Sequence, residues 1–162
     1  MSHLRSQAPP ARACLLLSWE LTNDQDLRRI RAELHHFFTA RELDEPARND
    51  DIAQRIGLVA TELGGNALRH GMPPIVVRLL RDEDGYILDV SDHDPHHAPE
   101  SAELPQQFRA GGRGLHIVRS LTRQLCWYAT EDVKHVWASF PAPHERPRST
   151  PRWGAADVVP PC

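Results

Sequence analysis

The chain is predicted to adopt an α/β fold: a two-layer α/β sandwich whose mostly antiparallel mixed sheet is covered by helices on one face. Three observations lead there. Strand-like and helix-like runs follow one another in the order β-α-α-β-β-loop-α-β-β. Two amphipathic helical runs come directly after the first strand, each with one apolar stripe to bury. Two pairs of β-rich runs are closed by short polar turns, which make antiparallel neighbours.

Residues 14–21, CLLLSWEL, form the first strand, with leucines and Trp19 facing a core. Thr22, Asn23 and Asp24 offer helix N-caps. The helix that follows runs to about Ala40, with Leu27, Ile30, Leu34 and Phe37 or Phe38 on its buried face. Pro46 marks a break, and Asn49 and Asp50 can cap a second helix running to about His70. Its stripe is Ile52, Ile56, Val59, Leu63 and Ala67. Gly71 is placed to end it, with Pro73 and Pro74 beyond. Residues 75–80 and 86–91 are β-rich, and Asp82-Glu83-Asp84-Gly85 reads as the hairpin between them. Residues 93–110 are polar, carry three prolines and read as a mobile loop. A third helix runs from Gly114 to about Leu125, with Leu115, Val118, Leu121 and Leu125 inward. Residues 125–130 and 134–140 close the sheet as an antiparallel pair.

The 162 residues fit one domain. Residues 1–12 are expected to be a flexible arm, residues 13–140 the domain itself, and residues 141–162, with six of the 14 prolines, a disordered tail. A net charge of -3 without a long basic run does not point to nucleic acid. Three scattered cysteines without a CxxC pair argue against a disulfide framework and for a reducing, cytoplasmic setting. No stretch approaches the ~20 apolar residues of a membrane helix, and the early apolar run at residues 14–17 is too short for a signal-peptide core.

Two motifs carry chemistry. In residues 58–70, LVATELGGNALRH, Glu62, Asn66 and His70 share one helix face at the margin of the apolar stripe. An asparagine carbonyl can bind Mg²⁺ when phosphates and waters supply the other ligands, and a carboxylate beside it can accept a hydroxyl proton. Taken alone, Glu62 and Asn66 fit better as solvated surface residues with an ordinary helix-spacing hydrogen bond. Gly64 and Gly65 each cost up to ~1 kcal/mol in a helix interior relative to alanine, which makes sense if something packs closely there. In residues 111–118, GGRGLHIV, the glycines let the backbone approach a ligand. The helix opening at Gly114 aims free N–H groups at that space, including those of Gly114 and Leu115, while Arg109 and Arg113 can add charge-assisted contacts to phosphate. This is not a GxxxxGK[ST] phosphate loop, and it does not follow directly from a strand as a dinucleotide fingerprint does. Asp92, at the end of a strand, can accept from an exocyclic amine or serve only as turn chemistry. His93, Asp94, His96 and His97 match no standard zinc spacing.

In this order, ELGGNALRHG, VSDHDP, GGRGLHIV and KHVWASF resemble the GHKL ATP-binding superfamily, and most of all its small anti-sigma-factor serine/threonine kinases. The resemblance covers roughly residues 14–140. It implies that Glu62 is the general base, Asn66 the Mg²⁺ ligand and Asp92 the reader of adenine. Gly112 and Gly114 would bind phosphate, and residues 93–110 would belong to a lid. It further implies ATP and Mg²⁺ as cofactors, an anti-anti-sigma (STAS-domain) partner phosphorylated on a serine or threonine, a sequestered sigma factor, and a homodimer in some relatives. Two departures stand out. The usual DxG is Asp92-His93-Asp94, and Lys134-His135-Val136 fills the region where a threonine often helps bind adenine. A nucleotide-dependent binding switch without catalysis is therefore kept beside the kinase, and ATP hydrolysis, the use gyrases make of the same glutamate, stands third. A histidine kinase is disfavoured, because no helical segment offers a phospho-accepting histidine within a dimerisation hairpin.

Overall fold

The computed structural model describes residues 4–40, 46–97, 99 and 114–142. Its elements are β1 (Arg5–Ser6), β2 (Cys14–Leu21), α1 (Asp24–Thr39), α2 (Pro46–His70), β3 (Ile75–Arg81), β4 (Gly85–Asp92), α3 (Gly114–Leu121), β5 (Gln124–Ala129) and β6 (Lys134–Pro141). The six strands make one sheet in the order β1-β5-β6-β4-β3-β2. All neighbours are antiparallel except β1 with β5. This is the expected mostly antiparallel mixed sheet, and the three helices cover one of its faces.

The helices form where the apolar periodicity places them. Asn23 caps α1, its side chain accepting from the N–H groups of Gln25 at 2.8 Å and Asp26 at 3.2 Å. Leu27, Ile30, Leu34 and Phe38 are buried, and Phe37 meets Phe38 edge to face. Helix α2 starts at Pro46, three residues before the expected caps. Proline suits a first turn because its missing N–H has no partner there anyway, so Asn49 lies inside the helix and is buried. The five expected stripe residues of α2 are all buried. Helix α3 ends at Leu121, earlier than expected, and Leu125 belongs to β5.

Gly64 faces the core. A Cβ there would lie 2.5 Å from Leu27 Cδ2 and 3.0 Å from Leu21 Cδ2, so this glycine sets how closely α2 meets α1 and β2. Gly65 faces only the movable guanidinium of Arg69, at 3.2 Å. The two substitutions should therefore differ in sign. Gly64→Ala adds overpacking of about 1–3 kcal/mol, which exceeds its helix-propensity gain of up to ~1 kcal/mol. Gly65→Ala collects that gain with little clash. Urea midpoints of the two variants against wild type measure the contrast.

The opposite face of the sheet carries a smaller apolar cluster, Ile87, Cys126 and Trp137, with Ala13, Leu80 and Tyr128 against it. Residues expected to be a loose arm help to cover it. Leu4 is buried, β1 pairs with β5, and Gln7 N–H donates to the Trp127 carbonyl at 2.9 Å. Trp137 Nε1 donates to the Gln7 carbonyl at 2.7 Å. Because β1 and β2 lie at opposite edges, the intervening residues must cross the sheet, about 24 Å at ordinary strand spacing. This strap is not fully extended on the way: it turns at residues 10–13, where the Ala13 N–H donates to the Pro10 carbonyl at 3.3 Å. Cys126 is a buried free thiol whose pKa burial pushes up. Of the expected tail, residues 141–162, Pro141 ends β6 and the Ala142 N–H donates to the Asp84 carbonyl at 3.1 Å, while residues 143–162 lie outside the described residues. No described helix is long and apolar enough to cross a membrane.

Candidate functional site

The site residues are arrayed along α2 and beyond its C-terminal end. Glu62 and Asn66 are both half-buried, at the expected margin of the stripe. Glu62 makes no hydrogen bond or ion pair among the described residues. Asn66 is engaged: Arg69 Nη2 donates to its Oδ1 at 2.8 Å. The oxygen required of a magnesium ligand is therefore already turned toward a cation. Arg69 would have to release it for a metal to bind. His70, on the same helix face, is exposed.

At the end of α2 the backbone makes room for an acid. A Cβ on Gly71 would lie 2.7 Å from Asp92 Cγ and 2.8 Å from Asp92 Oδ2. Only glycine lets the carboxylate of β4 sit against the helix terminus, so Gly71 does more than stop the helix. Met72 then accepts from the His93 N–H at 2.8 Å, tying the two chain segments together. Asp92 is buried. Its Oδ1 accepts from the Asp94 N–H at 2.8 Å, and its Oδ2 faces Lys134 Nζ at 3.3 Å.

Strand alternation decides which residue of Lys134-His135-Val136 reaches this spot. Asp92 is paired with Lys134 across β4 and β6, and Ser91 with His135. Lys134 thus shares the inner face with Asp92. His135 points to the opposite face, where it stacks on Tyr128 at 4.5 Å and bonds Asp89 at 3.1 Å. Asp94, the acid in place of the usual glycine, turns to His97, 2.8 Å away. That hydrogen bond holds its carboxyl below the usual range, against the opposing effect of burial. His93 and His96 are exposed, and no group of three potential metal ligands occurs among the described residues.

Of the expected phosphate contacts, Arg109, Gly112 and Arg113 lie outside the described residues. Gly114 begins α3, so the helix opens where expected, and Leu115 follows in its first turn. Arg69, Gly71 and Lys134 were not assigned site roles from sequence. Only Lys134 carried a distinguishing mark there, as the sole lysine of the chain.

Residues 21–140 match the family of histidine kinase-like ATPase domains. Among solved structures, the chain is similar to the histidine kinase domain from the blue-light activated histidine kinase of Erythrobacter litoralis EL346. The two are 25% identical, with a TM-score of 0.41, over 71% of this chain and 58% of that one. The chain thus spans less than two thirds of that domain. No curated protein matches.

Proposed function

The chain belongs to the histidine kinase-like ATPase domain family of the GHKL superfamily, and from that premise we propose that it is an anti-sigma-type kinase. In this reading it binds Mg-ATP, phosphorylates a serine or threonine of an anti-anti-sigma (STAS-domain) partner and sequesters a sigma factor. The observation that carries the reading is the line of groups along α2. Asp92 lies against Gly71 at the helix end, Asn66 is about 7–8 Å back along the axis, and Glu62 about 6 Å further at 1.5 Å per residue. This matches the order of base, phosphates and terminal phosphoryl in a nucleoside triphosphate.

Each residue then has a task. Asp92 accepts from the exocyclic amine of adenine. Asn66 Oδ1 would hold magnesium, which when bound would supply positive charge to offset that of the phosphates. Arg69, displaced from Asn66, is close enough to turn to the phosphates. The N–H groups that open α3 face the terminal phosphoryl. The substrate hydroxyl oxygen bonds to the γ-phosphorus as the bond from that phosphorus to its bridging oxygen breaks. The hydroxyl proton passes to Glu62, which has no competing partner among the described residues, and ADP leaves.

Calorimetric titration of Mg-ATP into wild type and Asn66→Ala tests the site. Wild type should bind, and the variant should lose about tenfold or more, the worth of a charged contact. A folded wild type that takes no nucleotide would sink the proposal. One observation favours a binding switch as the second reading. Asn66 and Asp92 are both satisfied internally, by Arg69 and Lys134, so a nucleotide would exchange contacts at both ends of the site. Partner affinity that follows nucleotide state, with no phosphorylated partner by mass spectrometry, would select this reading.

A further inference from the structure

Lys134 is the chain's only lysine, yet it is buried. Its side chain and that of Asp92 keep 7% and 5% of their exposure, with Nζ and Oδ2 3.3 Å apart. Desolvating such a pair costs about as much as its attraction returns, so stability alone is a poor reason to keep it. The pair also has bonding capacity to spare. An ammonium has three donors and a carboxylate about four acceptor positions. Asp92 uses one position on the Asp94 N–H and turns another to Lys134. A donor and an acceptor therefore lie side by side on the inner face, next to the end of α2.

We infer that Lys134 is a specificity-determining residue that reads the nucleotide base: its ammonium donates to N1 of adenine while Asp92 accepts from the N6 amine. The inference rests on the nucleotide-binding reading above and deepens it. The Watson–Crick edge of adenine presents a donor beside an acceptor, which complements an acid beside an ammonium. Guanine presents the reverse order, a carbonyl at position 6 and an N–H at position 1. With Asp92 facing position 6, its lone pairs would oppose the guanine carbonyl. On this strand, Lys134 is the residue that stands beside Asp92 on the inner face. His135 does not, because it projects from the other face of the sheet.

The test titrates the full chain with Mg-ATP, Mg-GTP and Mg-1-deaza-ATP, in which a C–H replaces N1, and repeats the series with Lys134→Met. Wild type should bind ATP about ten- to a hundredfold more tightly than the 1-deaza analogue, whose C–H offers no acceptor to the buried ammonium's N–H beside Asp92. GTP should bind more weakly than ATP. Lys134→Met should weaken ATP by the same factor and make ATP and its analogue equal. The wild-type comparison needs no variant, so a folding defect in Lys134→Met does not decide the outcome. Equal binding of ATP and the analogue by wild type overturns the role of Lys134 and leaves the nucleotide reading standing, as does tighter binding of GTP. No binding of any nucleotide removes both.

Discussion

Under the proposed kinase function, Glu62→Gln is expected to slow phosphoryl transfer to the partner's hydroxyl by about 10²–10⁴-fold, the range for removing a positioned general base, while Mg-ATP affinity changes little. The separation follows from where Glu62 stands. It is two helical turns from the end of α2, where Asp92 and Gly71 meet, and no other described side chain depends on it. The substitution keeps size and hydrogen-bonding capacity and removes only basicity. Single-turnover transfer to a purified STAS-domain partner, alongside calorimetry of the same variant, separates chemistry from binding. Transfer at the wild-type rate would remove Glu62 from the reaction.

Trp137→Ala should cost about 3–5 kcal/mol of folding stability, the range for deleting a large buried aromatic side chain. The indole is fully buried on the face of the sheet that carries no helix. It also holds the strap, through the hydrogen bond from Nε1 to the Gln7 carbonyl. Trp137→Phe keeps most of the apolar area and loses that bond, so it should cost less. Denaturant midpoints rank the two. Hydrogen exchange should find the Gln7 N–H, which bonds the Trp127 carbonyl, losing protection in both variants before β4 does. Little loss in Trp137→Ala would mean that the strap contributes nothing to holding this face.

Much of the layout was legible because it is written in local periodicity. Leu27, Ile30, Leu34 and Phe38 on α1, and Ile52 to Ala67 on α2, recur at helical intervals, so their burial follows from spacing alone. Asn23 was one of three cap candidates that side-chain chemistry offered, and the turn at Asp82 to Gly85 announced the hairpin. The start of α2 was misjudged because Pro46, taken as a breaker, is equally at home in a first turn. Gly64 and Gly65 looked like one feature in the sequence. In three dimensions one meets the core and the other a mobile guanidinium.

By itself, then, the sequence determined which faces are apolar, that a half-buried glutamate and asparagine share one margin of α2, and that a third helix opens at Gly114. Each of these depends on residues a few positions apart, where backbone geometry dictates the relation. Tertiary structure alone decided that the N-terminal segment straps the bare face of the sheet, that Gly71 yields to Asp92, and that Lys134 rather than His135 joins Asp92. Those relations hang on strand order and register between distant segments. A slip of one residue between β4 and β6 would turn Lys134 to the other face, and nothing within either strand's own sequence specifies its partner.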